Sequence, residues 1–133
     1  MRTAVDSSVL LDVILEDPRF GDRSEAALRS RSAAGAPIVC ECLLAEIRPA
    51  FAPGDIEEFL SDWNIQFVPS SKESSLLASE MFAAYLKRRR GRSGRVVADF
   101  LIGAHALLTA DRLLARDRGY YRDYFRRLAL FEP

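Results

Sequence analysis

Short apolar strands alternate with helices along this chain, and that alternation limits the fold more than any other feature of the sequence. Each apolar stretch is short, and a capping residue or a segment with helical periodicity follows it. Strands that are separated by helices pair in parallel, and the helices then cover both faces of the sheet. We therefore expect an α/β fold with a mainly parallel sheet. The predicted strands are RTAV (2–5), PIVC (37–40), IQFVP (65–69), RLLA (112–115) and LALF (128–131).

Capping residues and prolines set the predicted helix ends. Ser7 or Ser8 should cap the first helix, which ends at Asp17 because the residue before a proline avoids the helical region. Pro49 should kink the helix after the second strand, since it deletes a backbone hydrogen bond. Asp55 should cap the helix that follows. The other predicted helices cover residues 22–34, 70–87 and 96–108, with a short helical segment within 118–127.

The helix VVADFLIGAHALL (96–108) is apolar on nearly every face, yet it carries Asp99 in its first turn. A helix of this kind is normally buried, and a buried carboxylate costs several kcal/mol unless it is paired, hydrogen-bonded or bound to a metal. Taken alone, Asp99 is explained by capping of the helix N-terminus. His105 in the same helix is interpreted as a core or dimer-face residue, because the chain has no second histidine to complete a zinc site.

Four acidic residues are expected at one edge of the sheet. The carboxyl ends of parallel strands meet there, and this is where α/β folds place their chemistry. Each acid alone could be a capping or half-exposed helix residue, but like charges about 4 Å apart repel by about 4 kcal/mol per pair at an effective dielectric near 20. A hard divalent cation would relieve this repulsion, so the set predicts Mg²⁺ or Mn²⁺. The four are Asp6, Glu46, Asp99 and Asp117.

The remaining polar and aromatic clusters have two interpretations each. A basic run in a Gly-containing loop lies directly before the helix of Asp99, where its cations could bind the phosphates of RNA; the alternative is that the loop is only a solvated surface feature. Tyr120, Tyr121, Tyr124 and Phe125 could stack on bases, but their helical spacing favours packing into the core or a dimer. Three other acids, Asp12, Asp111 and Asp123, are assigned to the helix surface or loops. The basic run consists of Lys87, Arg88, Arg89, Arg90, Arg92 and Arg95.

Composition indicates one globular domain over residues 1–133, because no linker or low-complexity tract divides the chain. Cys40 and Cys42 are too close for a strain-free disulfide within one element and lack partners for a zinc site. We therefore expect a reduced, cytoplasmic protein. No apolar stretch reaches the length of a membrane span.

Four phrases, AVDSSVLLD, CLLAEIRPAF, VVADFLIGAHALL and LLARDRGYY, resemble in order and spacing the PIN-domain proteins, and more closely the VapC-type ribonuclease toxins of bacterial toxin–antitoxin modules. The resemblance implies a three-layer α/β/α sandwich with a mainly parallel five-stranded sheet. It implies a Mg²⁺- or Mn²⁺-dependent endoribonuclease with the acidic quartet Asp6, Glu46, Asp99 and Asp117, a homodimer, and a cognate antitoxin that blocks the site. One departure is Ala115, where the family often has Ser or Thr.

Metal-dependent phosphodiester hydrolysis predicts a role for each of the four acids. Asp6 and Asp99 are the predicted central ligands, Asp117 completes the set directly or through water, and Glu46 is a ligand or a water-orienting base. Ser8 stands where a phosphatase of the haloacid dehalogenase type would need an acid, and the segment FVPSS lacks the phospho-accepting Asp of a receiver domain. A catalytically inactive RNA-binding or dimerising module remains the alternative.

Overall fold

The five strands of the chain form one sheet in which every neighbouring pair is parallel, in the order β3-β2-β1-β4-β5. The structure is a computed structural model that describes residues 1–89, 97–116 and 119–133. It confirms the predicted α/β sandwich with a five-stranded sheet, and the sheet is wholly parallel. The strands are β1 (Thr3–Val5), β2 (Ile38–Val39), β3 (Gln66–Phe67), β4 (Arg112–Leu114) and β5 (Leu130–Phe131).

The helices follow the predicted alternation, with local differences at their ends. The first helix ends at Ile14 and not at Asp17. Asp6, and not a serine, caps the first helix. Pro49 does not kink a continuing helix: the α-helix ends at Ile47 and passes into the 3-10 turn Arg48–Ala50. Gly54, with φ of 89°, is the N-cap where Asp55 was expected. The helices are α1 (Ser7–Ile14), α2 (Gly21–Ser32), α3 (Glu41–Ile47), α4 (Asp55–Asp62), α5 (Lys72–Arg89), α6 (Val97–Thr109) and α7 (Tyr120–Tyr124).

Helix α6 lies in the core, as its apolar composition predicts. Phe100, Ile102 and His105 are fully buried in it, and the His105 Nε2 atom lies 2.7 Å from the Val68 carbonyl oxygen. The predicted core position of His105 is therefore confirmed. Gly103 allows a close approach, because a Cβ atom there would lie 2.6 Å from the ring of Phe125.

The central position of β1 determines where the acids lie. The strand pairs with β2 on one side and with β4 on the other. Helix α1 begins two residues after β1, and α3 begins two residues after β2, so both helices start at the same edge. The Asp6 N–H donates to the Leu114 carbonyl oxygen at 2.9 Å, which fixes Asp6 beside the carboxyl end of β4. Within the described ranges, none of the helices combines the length and the apolar character that a membrane crossing requires.

Candidate active site

Three of the four predicted acids line one cleft of about 310 Å³ at the carboxyl edge of the sheet. Asp6 comes from the end of β1, Glu46 from α3 and Asp99 from the first turn of α6. Their convergence is the arrangement that the sequence predicted for this edge. Asp117 lies outside the described residues. The full lining is Asp6, Ser7, Ser8, Leu11, Glu46, Asp99, Arg116, Tyr120 and Tyr121.

Asp6 caps a helix and lines the cleft with the same carboxylate. The side chain is only 4% exposed. Its Oδ2 atom accepts from the Ser8 N–H at 3.1 Å, which satisfies a backbone donor of the first turn of α1. The Ser8 hydroxyl donates to the same oxygen at 2.5 Å, and the Tyr121 hydroxyl donates to Oδ1 at 2.6 Å. These hydrogen bonds offset the cost of burying the charge.

Asp99 and Glu46 both line the cleft, but they differ in how far they are exposed to solvent. Asp99 is 8% exposed at the start of the apolar helix α6. Glu46 is exposed, although it stands between Leu43 and Ile47, which anchor α3 in the core. The pair therefore combines one buried carboxylate with one that solvent can reach.

The negative charge of these acids raises the pKa of two neighbouring groups, Tyr121 and Cys42. Burial raises the pKa of the Tyr121 hydroxyl well above its ordinary value, and the nearby carboxylates of Asp6, Asp99 and Glu46 raise it further. Burial also raises the pKa of the Cys42 thiol to about 12, with contributions from Cys40, Glu46 and Asp99 among others. Both groups therefore remain protonated at neutral pH.

An ion pair that the sequence analysis missed lies beside the cleft, with Arg116 in its lining and Asp12 buried behind it. Arg116 donates from Nε and Nη2 to the two carboxylate oxygens of Asp12, each at 2.8 Å. The Ser24 hydroxyl donates to Asp12 at 2.6 Å, and the guanidinium carbon of Arg116 lies 4.1 Å from the ring centre of Phe20. The hydrogen bond to Asp12 is the largest contribution that raises the pKa of Arg116.

The assignment of Asp12 to the surface is wrong, because its side chain is only 3% exposed. The signal that could have revealed it is the one that singled out Asp99. Asp12 is an acid between Leu11 and Val13 in a helix whose other residues after Ser8 are apolar, and such an acid needs a partner.

The donor chemistry of the cleft fits a hard cation, but three acids alone do not form a finished metal site. Carboxylate oxygens are the ligands that Mg²⁺ and Mn²⁺ prefer. In the chain outside residues 90–96 and 117–118, no group of three or more His, Cys, Asp or Glu side chains is arranged to hold a metal ion.

Only part of the predicted RNA-binding run lies in described residues. The α5 helix continues to Arg89, two residues beyond its predicted end at Lys87, so the start of the basic run is helical and its assignment to a loop is wrong for Lys87, Arg88 and Arg89. The Arg88 Nη1 atom lies 3.4 Å from the Tyr124 hydroxyl. The remaining members, Arg90, Arg92 and Arg95, lie outside the described residues.

The aromatic residues of the C-terminal segment pack inward, as their helical spacing predicts. Tyr121 and Phe125 are buried, and the rings of Tyr120 and Tyr124 contact that of Phe100. The sequence analysis did not identify Tyr121 as a site residue. Its bond to Asp6 joins residues 115 positions apart, and no local pattern reports a contact of that range.

Comparison with known proteins agrees with this architecture. The chain is similar in structure to VapBC2 from Rickettsia felis bound to a promoter DNA fragment, with a TM-score of 0.72, 17% identity and coverage of 100% of this chain and 99% of that one. It is also similar to FitAcB from Neisseria gonorrhoeae, with a TM-score of 0.66, 18% identity and coverage of 97% and 96%. A third similar structure is DNA-bound VapBC from Salmonella typhimurium, with a TM-score of 0.65, 15% identity and coverage of 99% of this chain and 98% of that one.

At these identities the structural likeness shows the shared fold alone. No curated protein sequence matches the chain significantly. The family is identified instead by a sequence model, that of the PIN domain, which matches residues 3–126. This match covers every element from β1 to α7, and the chain therefore belongs to the PIN domain family.

Proposed function

We propose that this protein is a Mg²⁺- or Mn²⁺-dependent endoribonuclease that acts as the toxin of a type II toxin–antitoxin pair. The observation that carries the proposal is the convergence of Asp6, Glu46 and Asp99 in one cleft at the carboxyl edge of the sheet. Membership of the PIN domain family supports a nuclease, since PIN domains are generally hydrolases of this kind. Hard oxygen donors support the choice of cation.

The proposed roles follow from the position of each side chain. Asp6 and Asp99 are buried and held, which suits ligands that must keep one geometry. Glu46 is exposed and suits either a ligand or a base that orients the attacking water. Asp117 is proposed as the fourth member on its sequence position. A divalent cation in the cleft would supply charge stabilisation at the scissile phosphate.

The proposed macromolecular partners are an RNA substrate, a cognate antitoxin and a second copy of the chain. Support for the antitoxin comes from the similar solved structures, which include VapBC assemblies. Support for RNA comes from the basic run that precedes α6 in the sequence, whose side chains could neutralise phosphates. The RNA-binding set is Arg88, Arg89, Arg90, Arg92 and Arg95. A cytoplasmic location is proposed from the two cysteines, neither of which forms a disulfide.

The test is cleavage of total RNA by the purified protein in the presence and absence of Mn²⁺, with Asp99→Asn as the decisive variant. The amide keeps the shape of the side chain and can still accept at the helix N-terminus, but it removes the charge that a cation needs. We expect metal-dependent cleavage by the parent and a loss of at least about 100-fold in the variant, the size typical of losing a group that acts in the transition state.

A matched control is Asp111→Asn, because Asp111 is an acid that accepts from the Arg2 N–H on an exposed surface outside the cleft. This variant should cleave at the parent rate. Equal cleavage by the parent and Asp99→Asn would reduce Asp99 to a helix cap and refute the proposal. RNA binding without any cleavage by the parent would instead identify an inactive RNA-binding module.

A further inference from the structure

Tyr121 lies outside the acidic set and contacts Asp6, one of the proposed metal ligands, directly. It lies on α7 and is 4% exposed, and its hydroxyl donates to the Asp6 Oδ1 atom at 2.6 Å. A tyrosine hydroxyl that is buried with its ring needs a hydrogen-bond partner. Here the partner is a carboxylate that also lines the cleft, so the bond can affect what the carboxylate binds.

The opposite oxygen of Asp6 is held from the other side. Oδ2 accepts both from the Ser8 N–H and from the Ser8 hydroxyl. The Ser8 hydroxyl in turn accepts from the Arg116 N–H at 3.1 Å, so its own proton is directed to Asp6. The carboxylate is therefore gripped at both oxygens by groups from α1 and α7.

Counting acceptor positions shows which oxygen can still bind a ligand. An ionised carboxylate offers about four acceptor positions, two on each oxygen. In the described part of the chain, Oδ2 accepts two donors and Oδ1 accepts one. The remaining position is on Oδ1, beside the bond from Tyr121.

We propose that Tyr121 is a positioning residue for Asp6, and that its hydroxyl fixes the carboxylate so that Oδ1 alone is presented to the divalent cation. This inference rests on the proposed function. Groups that orient a ligand from behind typically change metal affinity or activity by about 10–100-fold when they are removed. Tyr121 also supplies a hydroxyl to the acidic site of a chain that has Ala115 at the position of the family hydroxyl.

The test is the affinity of the full-length protein for Mn²⁺, measured by isothermal titration calorimetry at a temperature where the parent and the variants are folded. Tyr121→Phe removes one oxygen atom and should weaken Mn²⁺ binding by about tenfold. The Mn²⁺ midpoint of single-turnover RNA cleavage should move by the same factor, while the rate at saturating Mn²⁺ changes less. Tyr124→Phe is the matched control, since Tyr124 is on the same helix but does not line the cleft, and its affinity should equal that of the parent.

A double variant separates positioning from a structural role. In the Asp6→Asn background the carboxylate that Tyr121 positions is gone, so adding Tyr121→Phe should cause no further loss of Mn²⁺ affinity. Three results would overturn the inference. Tyr121→Phe could bind Mn²⁺ as tightly as the parent, or it could fail to fold. Adding Tyr121→Phe to Asp6→Asn could also weaken Mn²⁺ binding by the same factor as it does in the parent. A parent protein that neither binds Mn²⁺ nor cleaves RNA would refute the proposed function itself.

Discussion

The ion pair between Asp12 and Arg116 has unequal partners, and this inequality predicts how the two residues respond to substitution. Asp12 is 3% exposed, whereas the Arg116 side chain is 35% exposed. Removing the arginine therefore leaves an unpaired carboxylate in the interior, and removing the carboxylate leaves a cation that water can reach. Breaking a buried pair costs about 3–5 kcal/mol, and partial exposure of Arg116 reduces that to about 2–4 kcal/mol.

We expect Arg116→Met to lower the free energy of unfolding by about 2–4 kcal/mol in urea titrations. Adding Asp12→Asn to it should restore part of the loss, because the second change removes the unpaired charge. Arg29→Met is the control, since the Arg29–Glu25 pair is exposed on α2 and should contribute less than about 1 kcal/mol. A double variant that is less stable than Arg116→Met would show that Asp12 is not an uncompensated charge in the single variant.

At the scale of the elements, α6 joins the core to the loop after β3 through its single histidine. Burial lowers the pKa of His105, and Arg2 adds to this, while the Val68 carbonyl and Glu41 oppose it. The native protein thus binds a proton less readily than the unfolded chain, whose histidine pKa is about 6.5. As pH falls below about 6.5 the unfolded state gains a proton that the native state does not, so stability decreases with falling pH until the native pKa is reached.

The measurement is the free energy of unfolding of the parent and of His105→Gln at pH 7.5 and pH 5.5. His105 is the only histidine in the chain, so the parent should lose more stability than the variant over this interval, by up to about 1.4 kcal/mol per pH unit below 6.5. Carboxylates that do not interact with His105 contribute equally in both proteins and cancel in the comparison, whereas Glu41 loses its interaction with His105 in the variant. An identical pH dependence in the two proteins would contradict the lowered pKa of His105 in the native state.

The same elements show what the sequence can predict and what it cannot. The strands, the apolar helix α6 and the acids at strand ends were predictable because each depends on neighbours within a few positions. The Asp12–Arg116 and Asp6–Tyr121 bonds join residues 104 and 115 positions apart, and they exist only because β1 and β4 are adjacent in the sheet. The N-cap of α4 is Gly54 and not Asp55, because the chain enters this helix through a left-handed backbone conformation, which glycine adopts readily.

At the scale of the whole molecule, the proposed metal site predicts that the stability of the protein depends on the divalent cation. Asp6, Glu46 and Asp99 line one cleft, and their mutual repulsion opposes folding when no cation is present. A cation that binds only the native state stabilises it by about 2.7 kcal/mol at a concentration 100 times its dissociation constant. For a domain of this size that corresponds to a rise in melting temperature on the order of 10 °C.

We expect millimolar Mn²⁺ to raise the melting temperature of the parent in differential scanning fluorimetry, and Ca²⁺ to do so to a smaller extent because it prefers more ligands at longer distances. Asp99→Asn should melt at or above the parent temperature without metal, since one repelling charge is gone, and it should lose most of the Mn²⁺-dependent rise. The two proteins would then exchange their order of stability when Mn²⁺ is added. Asp111→Asn should behave as the parent does in both conditions, because its side chain lies outside the cleft. Absence of any shift in the parent, or an equal shift in Asp99→Asn, would show that the three carboxylates do not share a cation.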